Sequence, residues 1–411
     1  MTLTDWLSYL EQPRQIKPGV ERLTRVSSIA DALGLLPLAY KVISVTGTNG
    51  KGSTVASCSH ILQAGNYRVG SYTSPHLIRY NERIAIQNQA VSDQALCQAF
   101  QAIEAARGQI ELSYFEYSFL AALYLFHQAD IDLAVLEIGI GGRLDAVNAI
   151  DADVAVITTV DFDHMQFLGN SREAIAYEKA GIFRAGCPAI YGDRDLPEAV
   201  QTEADKLKAP LYVLGRDYDF SQYTAEWAWR GPEQHYAHLP FPPLYLPNAA
   251  TALMALTCLN VPLKHSEIKQ GIQNIHLPGR QQLIEGPCHI LLDVAHNPQA
   301  ARLLAERIEK LPRPGRVYAI FSALADKDLP GVVAPFKNTF THWYYAPLAS
   351  ARTASKSQLQ AVLPEHSSSG CDSILEALQI VLRKVDAHDW LIVFGSFYTV
   401  AEVARKLEDH R

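Results

Sequence analysis

The run "VISVTGTNGKGSTV", residues 42–55, constrains the fold more than any other stretch of the chain. An apolar segment ends at Thr46, glycines stand at 47, 50 and 52, and a helical pattern begins near Lys51. Strand, glycine-rich turn and helix in that order form the phosphate-cradling unit of an α/β sheet. The usual spacing, G-x-x-x-x-G-K-[ST], is broken here. Val45 stands five residues before Gly50, and Gly52 follows Lys51, with the hydroxyls delayed to Ser53 and Thr54. The mechanics survive: glycines turn backbone N–H groups inward, and Lys51 can reach terminal phosphates. Ser53 or Thr54 can reach a cation. An ordinary βα turn with a chance lysine explains the stretch less well.

The same alternation continues along the chain. Residues 41–46, 132–138 and 154–160 read as buried strands, and 51–64, 114–128 and 171–183 as helices. Near-continuous apolar strands between helices define a parallel sheet covered on both faces. Residues 215–247, with Trp227, Trp229 and "LPFPPLYLPN", read as irregular or antiparallel, followed by a helix from Asn248. Alternation restarts after a Pro- and Gly-bearing stretch, with strands at 289–294, 316–322, 342–347 and 390–396. The expected organisation is an N-terminal nucleotide-binding domain over 1–278, a linker over 279–287 and a smaller α/β domain over 288–411.

Bulk properties exclude several classes. With 48% hydrophobic residues and 411 positions, a large core and two or more domains are expected. A formal net charge of −7 argues against nucleic acid as partner. The N-terminus lacks a basic-then-apolar leader, and no apolar run approaches a membrane span. Six scattered cysteines without a C-x-x-C pair fit reduced thiols in a cytoplasm, not zinc or disulfides.

Further motifs fall at the expected strand ends, where ligands sit in such sheets. "YTSPHLIRYNERI" (72–84) carries Ser74, His76, Arg79, Glu82 and Arg83. "VLEIGIGGRLDAVN" (135–148) places Glu137 at the end of an apolar strand, where a buried carboxylate needs a partner such as magnesium. "TTVDFDHMQFLG" (158–169) adds Asp161, Asp163 and His164, and "EKAGIF" (178–183) adds Lys179. Taken alone, Lys179 reads as a surface or ion-paired lysine. In "LLDVAHNPQAA", Asn297 suits a helix N-cap and Pro298 the first helical position. Asp293 and His296 have no such structural explanation and point to a site, which Arg280 could also reach.

Together these motifs, with "LPGR" and the late "GSF", resemble the folylpolyglutamate synthase/dihydrofolate synthase family. That family lies within the Mur-ligase-like ATP-dependent amide ligases, and the resemblance spans essentially the whole chain. The shortened glycine loop is similar to the family's own phosphate loop. The resemblance implies an α/β fold: a P-loop-type, mostly parallel ATPase domain like the Mur-ligase central domain, plus a smaller Rossmann-like domain. It implies that ATP phosphorylates a pterin-linked carboxylate and that the amine of L-glutamate attacks the acyl phosphate, releasing ADP and phosphate. The products are dihydrofolate from dihydropteroate, and folylpolyglutamates.

Carried over residue by residue, Asn49, Gly50, Lys51, Gly52 and Ser53 resemble the triphosphate cradle, with Asn248, Arg280 and Asp293 as further ATP contacts. Ser74, Glu137 and His164 resemble magnesium ligands, for two ions. Lys179 matches a lysine that the family carbamylates. Lys51, Glu137, His164, Lys179 and His296 are then the catalytic set. The pterin pocket is expected to involve Arg25, Ser113, Tyr114, Phe115, Glu116, Leu144, Asp145 and Ala146. His296, Ser396 and the turn at 325–328 are candidates for glutamate. Departures are Met165 and Gln166 in "DHMQFLG" and extra length in "KPGVERLTRV" (17–26). The implied protein is a cytoplasmic monomer acting on small molecules. Two other readings stay open: a ligase that only lengthens folate tails, and a non-catalytic nucleotide-binding relative.

Overall fold

The computed structural model describes residues 1–12, 20–312 and 314–408, so positions 17–19 of the lengthened stretch lie outside the described residues. The chain divides into two compact units, Met1–His276 and Leu277–Arg411.

The first unit is built on an eight-stranded sheet in the order β4-β3-β2-β5-β1-β6-β7-β8. Its strands are β1 (Lys41–Thr46), β2 (Val69–Tyr72), β3 (Ile84–Ile86), β4 (Gln89–Ala90), β5 (Leu133–Glu137), β6 (Val154–Ile157), β7 (Ala189–Tyr191) and β8 (Leu211–Val213). Parallel pairing runs from β2 to β8 across the sheet, and only the β2–β3 and β3–β4 pairs are antiparallel. The central strands are buried at nearly every position, which is what two helical layers impose. Helices Lys51–Ala64 and Tyr114–Gln128 match their expected bounds. The second starts with a capping box, in which Ser113 and Glu116 each satisfy the other's backbone N–H. Because β5 and β6 flank β1, the loops after β1, β5 and β6 open at one sheet edge, the switch point of a doubly wound sheet.

Residues 219–239 form a separate antiparallel sheet, β9 (Asp219–Gln222), β10 (Trp227–Arg230) and β11 (His235–Leu239). It is closed by buried Trp227 and Trp229, whose indole N–H groups donate to Pro240 O and Ala250 O. The next helix is Leu246–Cys258. It starts two residues earlier than expected because Pro247 is tolerated in the first turn, where its missing N–H costs nothing.

The second unit has the order β12-β13-β17-β14-β15-β16. These strands are β12 (Gln282–Glu285), β13 (His289–Leu292), β14 (Val317–Phe321), β15 (His342–Tyr345), β16 (Ser368–Gly370) and β17 (Trp390–Phe394). All are parallel except β12, which pairs antiparallel with β13. The stretch 279–287, expected as a linker, therefore carries an edge strand of this sheet. Its "QLIE" alternates in exposure as an edge strand does, but four residues between turns give too weak a signal to read.

Candidate active site

The loop after β1 is shaped by two glycines that no other residue could replace. A Cβ on Gly47 would fall 1.8 Å from Thr158 Oγ1, and one on Gly50 would fall 2.4 Å from Asn248 Oδ1. Gly50 has φ +85° and leaves the helix Lys51–Ala64 without a side-chain cap. The first N–H groups of that helix therefore face the loop, and the helix dipole favours an anion there. The loop is pinned from β6: Thr158 Oγ1 donates to Asn49 O at 2.5 Å, and Thr48 N–H donates to Thr159 O at 2.9 Å. Lys51 Nζ folds over the loop and donates to Gly47 O at 3.0 Å. Thr54 is fully buried in the helix layer, and its hydroxyl has no hydrogen-bond partner. Ser53 and Gly52 remain in the first turn of the helix.

Lys51, His164 and Lys179 converge on one cleft, floored by Gly139 and Gly141 and joined by Asp163. Lys179 sits in the last turn of helix Arg172–Ala180 and is 3% exposed. Burial, reinforced by the Lys51 charge, holds its ammonium well below the usual lysine range, and Asp163 opposes that shift. It is not the surface lysine that its local sequence suggests. His164 adopts a left-handed conformation at φ 51°, and its N–H donates to Asp163 Oδ1 at 2.8 Å. Strained non-glycine backbone of this kind is held in place by its surroundings and clusters at functional sites.

Glu137 ends β5, buried, and its Oε2 accepts from Ser74 N–H at 3.1 Å. Glu137 and Ser74 thus meet at the ends of adjacent strands β5 and β2. Their oxygens fit a hard cation. The described residues contain no group of three His, Cys, Asp or Glu side chains able to hold a metal. Magnesium binds through one or two carboxylates and keeps water and phosphate oxygens for its other positions.

The expected pterin residues form two sets. Phe115 and Asp145 both press on Gly139, where a Cβ would meet the Phe115 ring at 2.8 Å and Asp145 Oδ2 at 3.2 Å. Asp145 is buried and accepts from Val147 N–H at 3.0 Å and Ile140 N–H at 3.3 Å; burial still pushes its carboxyl up to about 6. Ala146 opens the short helical turn that Asp145 caps. In the second set, Glu116 accepts from Arg25 Nη2 at 2.7 Å and from Ser113 N–H at 2.7 Å. Capping and ion pairing thus account for Ser113 and Glu116 structurally. Sequence reasoning missed Arg22, one helical turn from Arg25, whose Nη1 donates to Leu144 O at 3.1 Å. The i, i+3 spacing was the available signal. It also gave Asp163 no role. The Tyr114 ring lies 5.4 Å from the Arg83 guanidinium.

In the second unit, Asp293 follows β13. Its two oxygens accept from Gln281 N–H at 3.0 Å and Ala295 N–H at 2.8 Å, and burial raises its carboxyl against the pull of Arg280. Arg280 lies 4.5 Å over the Phe397 ring, and the His296 ring is 6.1 Å from the same phenyl. Asn297 caps helix Pro298–Glu309. Ser396 bonds Thr399, and Asp326 of the 325–328 turn pairs with Arg352.

A shortened phosphate loop on a doubly wound sheet, followed by a second parallel sheet, defines a Mur-type ligase. Residues 45–226 match the Mur ligase middle domain, and residues 279–397 match the Mur ligase glutamate ligase domain. The dihydrofolate synthase/folylpolyglutamate synthase of Escherichia coli (strain K12) is 43% identical, over 100% of this chain and 96% of the relative. That of Haemophilus influenzae is 39% identical over 97% and 96%. Among solved structures, E. coli FolC in complex with DHPP and ADP aligns at TM-score 0.95 with 42% identity, covering 100% and 99%. The Yersinia pestis bifunctional enzyme complexed with AMPPNP and Mn ion aligns at 0.94 with 43% identity, covering 99% and 98%. The chain belongs to the dihydrofolate synthase/folylpolyglutamate synthase family.

Proposed function

We propose that this protein ligates L-glutamate to dihydropteroate, forming dihydrofolate, and to the glutamate tails of folates, forming folylpolyglutamates, with ATP converted to ADP and phosphate. The observation that carries this reading is the cleft that gathers Lys51, His164 and Lys179 beside the glycine loop, in a chain that matches bifunctional relatives end to end.

The chemistry suits those residues. A carboxylate resists nucleophiles because of its own charge, and phosphorylation gives it a leaving group. Lys51 and the uncapped helix N-terminus hold the transferring phosphoryl group and spread its charge. A divalent ion at Ser74, Glu137 and His164, when bound, supplies further charge neutralisation. Asn49, Gly50, Gly52 and Ser53 cradle the nucleotide phosphates, with Asn248, Arg280 and Asp293 as further ATP contacts. Arg25, Phe115, Asp145 and their neighbours receive the pterin, and His296 acts toward glutamate.

Lys179 is proposed to carry a carbamate. Its depressed basicity leaves more of the amine uncharged and able to take up carbon dioxide, and the resulting negative charge is favourable beside Lys51. Two bound metal ions, a monomeric state and a cytoplasmic location complete the proposal. No described helix is long and apolar enough to cross a membrane.

The test is ADP formation by the purified chain with ATP, magnesium and L-glutamate, measured with and without dihydropteroate or a reduced folate. ADP formation that requires either acceptor is expected. Nucleotide binding without turnover on any acceptor would leave the non-catalytic relative, and turnover on folate alone would leave a tail-lengthening enzyme.

A further inference from the structure

Arg83 lies outside every role assigned above, yet only 8% of it is exposed. A cation taken out of water needs a counter-charge or a strong compensating contact. Among the described residues, no carboxylate forms an ion pair with Arg83. What holds it is uncharged: Nε donates to His76 Nδ1 at 2.9 Å, and the guanidinium packs 5.5 Å from the Tyr80 ring and 5.4 Å from the Tyr114 ring. Those contacts use one of its five N–H groups and two ring faces. The fork of Nη donors is left for something the chain does not supply.

The position is fixed before any ligand arrives. Glu82 accepts from the N–H groups of Leu77, Ile78 and Arg79 at 2.7, 2.9 and 2.6 Å, which locks the loop. Thr73 N–H donates to Arg83 O at 2.9 Å, so Arg83 sits across from the end of β2, next to Ser74. Ser74 in turn holds Glu137. Arg83 also sets the proton on His76. Because Nδ1 accepts from Nε–H, a neutral imidazole here carries its hydrogen on Nε2.

We propose that Arg83, with His76 beside it, is the site that binds the carboxylate of the acceptor substrate. This rests on the ligase reading above. Planar guanidinium forks match carboxylates, and the phosphates already have a separate cradle at the end of β1. A carboxylate that must approach Glu137 also needs a fixed cation to offset that repulsion.

The test is a comparison of two ligands on the full chain by calorimetry, with a non-hydrolysable ATP analogue and magnesium present. The ligands are dihydropteroate and its carboxamide, which lacks the charge. The wild type is expected to prefer the acid by about 30-fold, the worth of one strong charge-assisted hydrogen-bonded pair. Arg83→Gln is expected to compress that preference to below about 3-fold, with affinity for the ATP analogue unchanged. A folded Arg83→Gln that keeps the full preference overturns the proposal. If Arg83→Gln does not fold, His76→Ala at the half-exposed neighbour decides. A clear fall in preference supports the site, and an unchanged one overturns it. Wild-type protein that binds neither ligand overturns the ligase reading itself, and this proposal with it.

Discussion

At the ends of β1, β5 and β6 the first unit gathers lysines over a glycine loop, with Lys179 buried and its charge disfavoured. At the end of β13 the second unit buries a carboxylate, but both oxygens of Asp293 are already met by backbone N–H groups. The two edges share a topology and differ in their electrostatic finish. The first sets two lysines against Asp163 in one cleft, and burial with the Lys51 charge outweighs that carboxylate at Lys179. The second is largely satisfied from within, so Asp293 shapes a loop at the same time as it offers a site. Removing a side chain should therefore cost mainly chemistry at the first edge and partly stability at the second.

The largest effect is expected for Lys51→Ala. Acceptor-dependent ADP formation should fall by about a thousandfold, the scale for losing a preorganised charge at a transferring group, while thermal unfolding hardly moves. Full activity in this variant would break the comparison on its first side.

Asp145 sharpens it through pH. Its carboxyl is pushed up to about 6 from 3.8, so between those values the folded state holds a proton that the unfolded chain has released. Stability therefore falls as pH rises through that window, and the penalty is complete above about pH 6, reaching roughly 3 kcal/mol. Denaturant unfolding at pH 4 and pH 7 should show Asp145→Asn gaining on the wild type by about 2–3 kcal/mol over that interval. A constant difference would contradict it.

Asp293→Ala tests the second edge. It leaves two buried N–H groups without their acceptor and should destabilise the second unit by about 2 kcal/mol in urea titration. An unchanged midpoint would mean that Asp293 is as unfinished as the lysine cleft. The smallest signal concerns Lys179. With 13C-bicarbonate the wild type should show a carbamate carbonyl resonance that Lys179→Arg lacks. Its absence in the wild type would remove the carbamate but not the cleft.

Much of this architecture is legible in the amino-acid order, for reasons that can be named. Strand Lys41–Thr46 and the helix from Lys51 are bounded by glycines, and the helix from Tyr114 by a capping box; such punctuation acts locally. The edge strand Gln282–Glu285 was hidden because it depends on β13 to pair with, which no local pattern announces. The residues at strand ends could be nominated from motifs. Their electrostatic state could not, since the burial of Lys179 comes from helix packing onto the loops after β1 and β5. Arg83 was visible as a letter in a polar loop. Its burial between Tyr80 and Tyr114 follows from a tertiary contact between that loop and the helix from Tyr114.

The most direct test of the account is the product mass after incubation with ATP, magnesium, L-glutamate and either dihydropteroate or a reduced folate monoglutamate. The account predicts a gain of one glutamyl unit on both acceptors, ADP formed in step, and no gain with Lys51→Ala. Unchanged acceptor masses with the wild type, despite bound ATP, would contradict it.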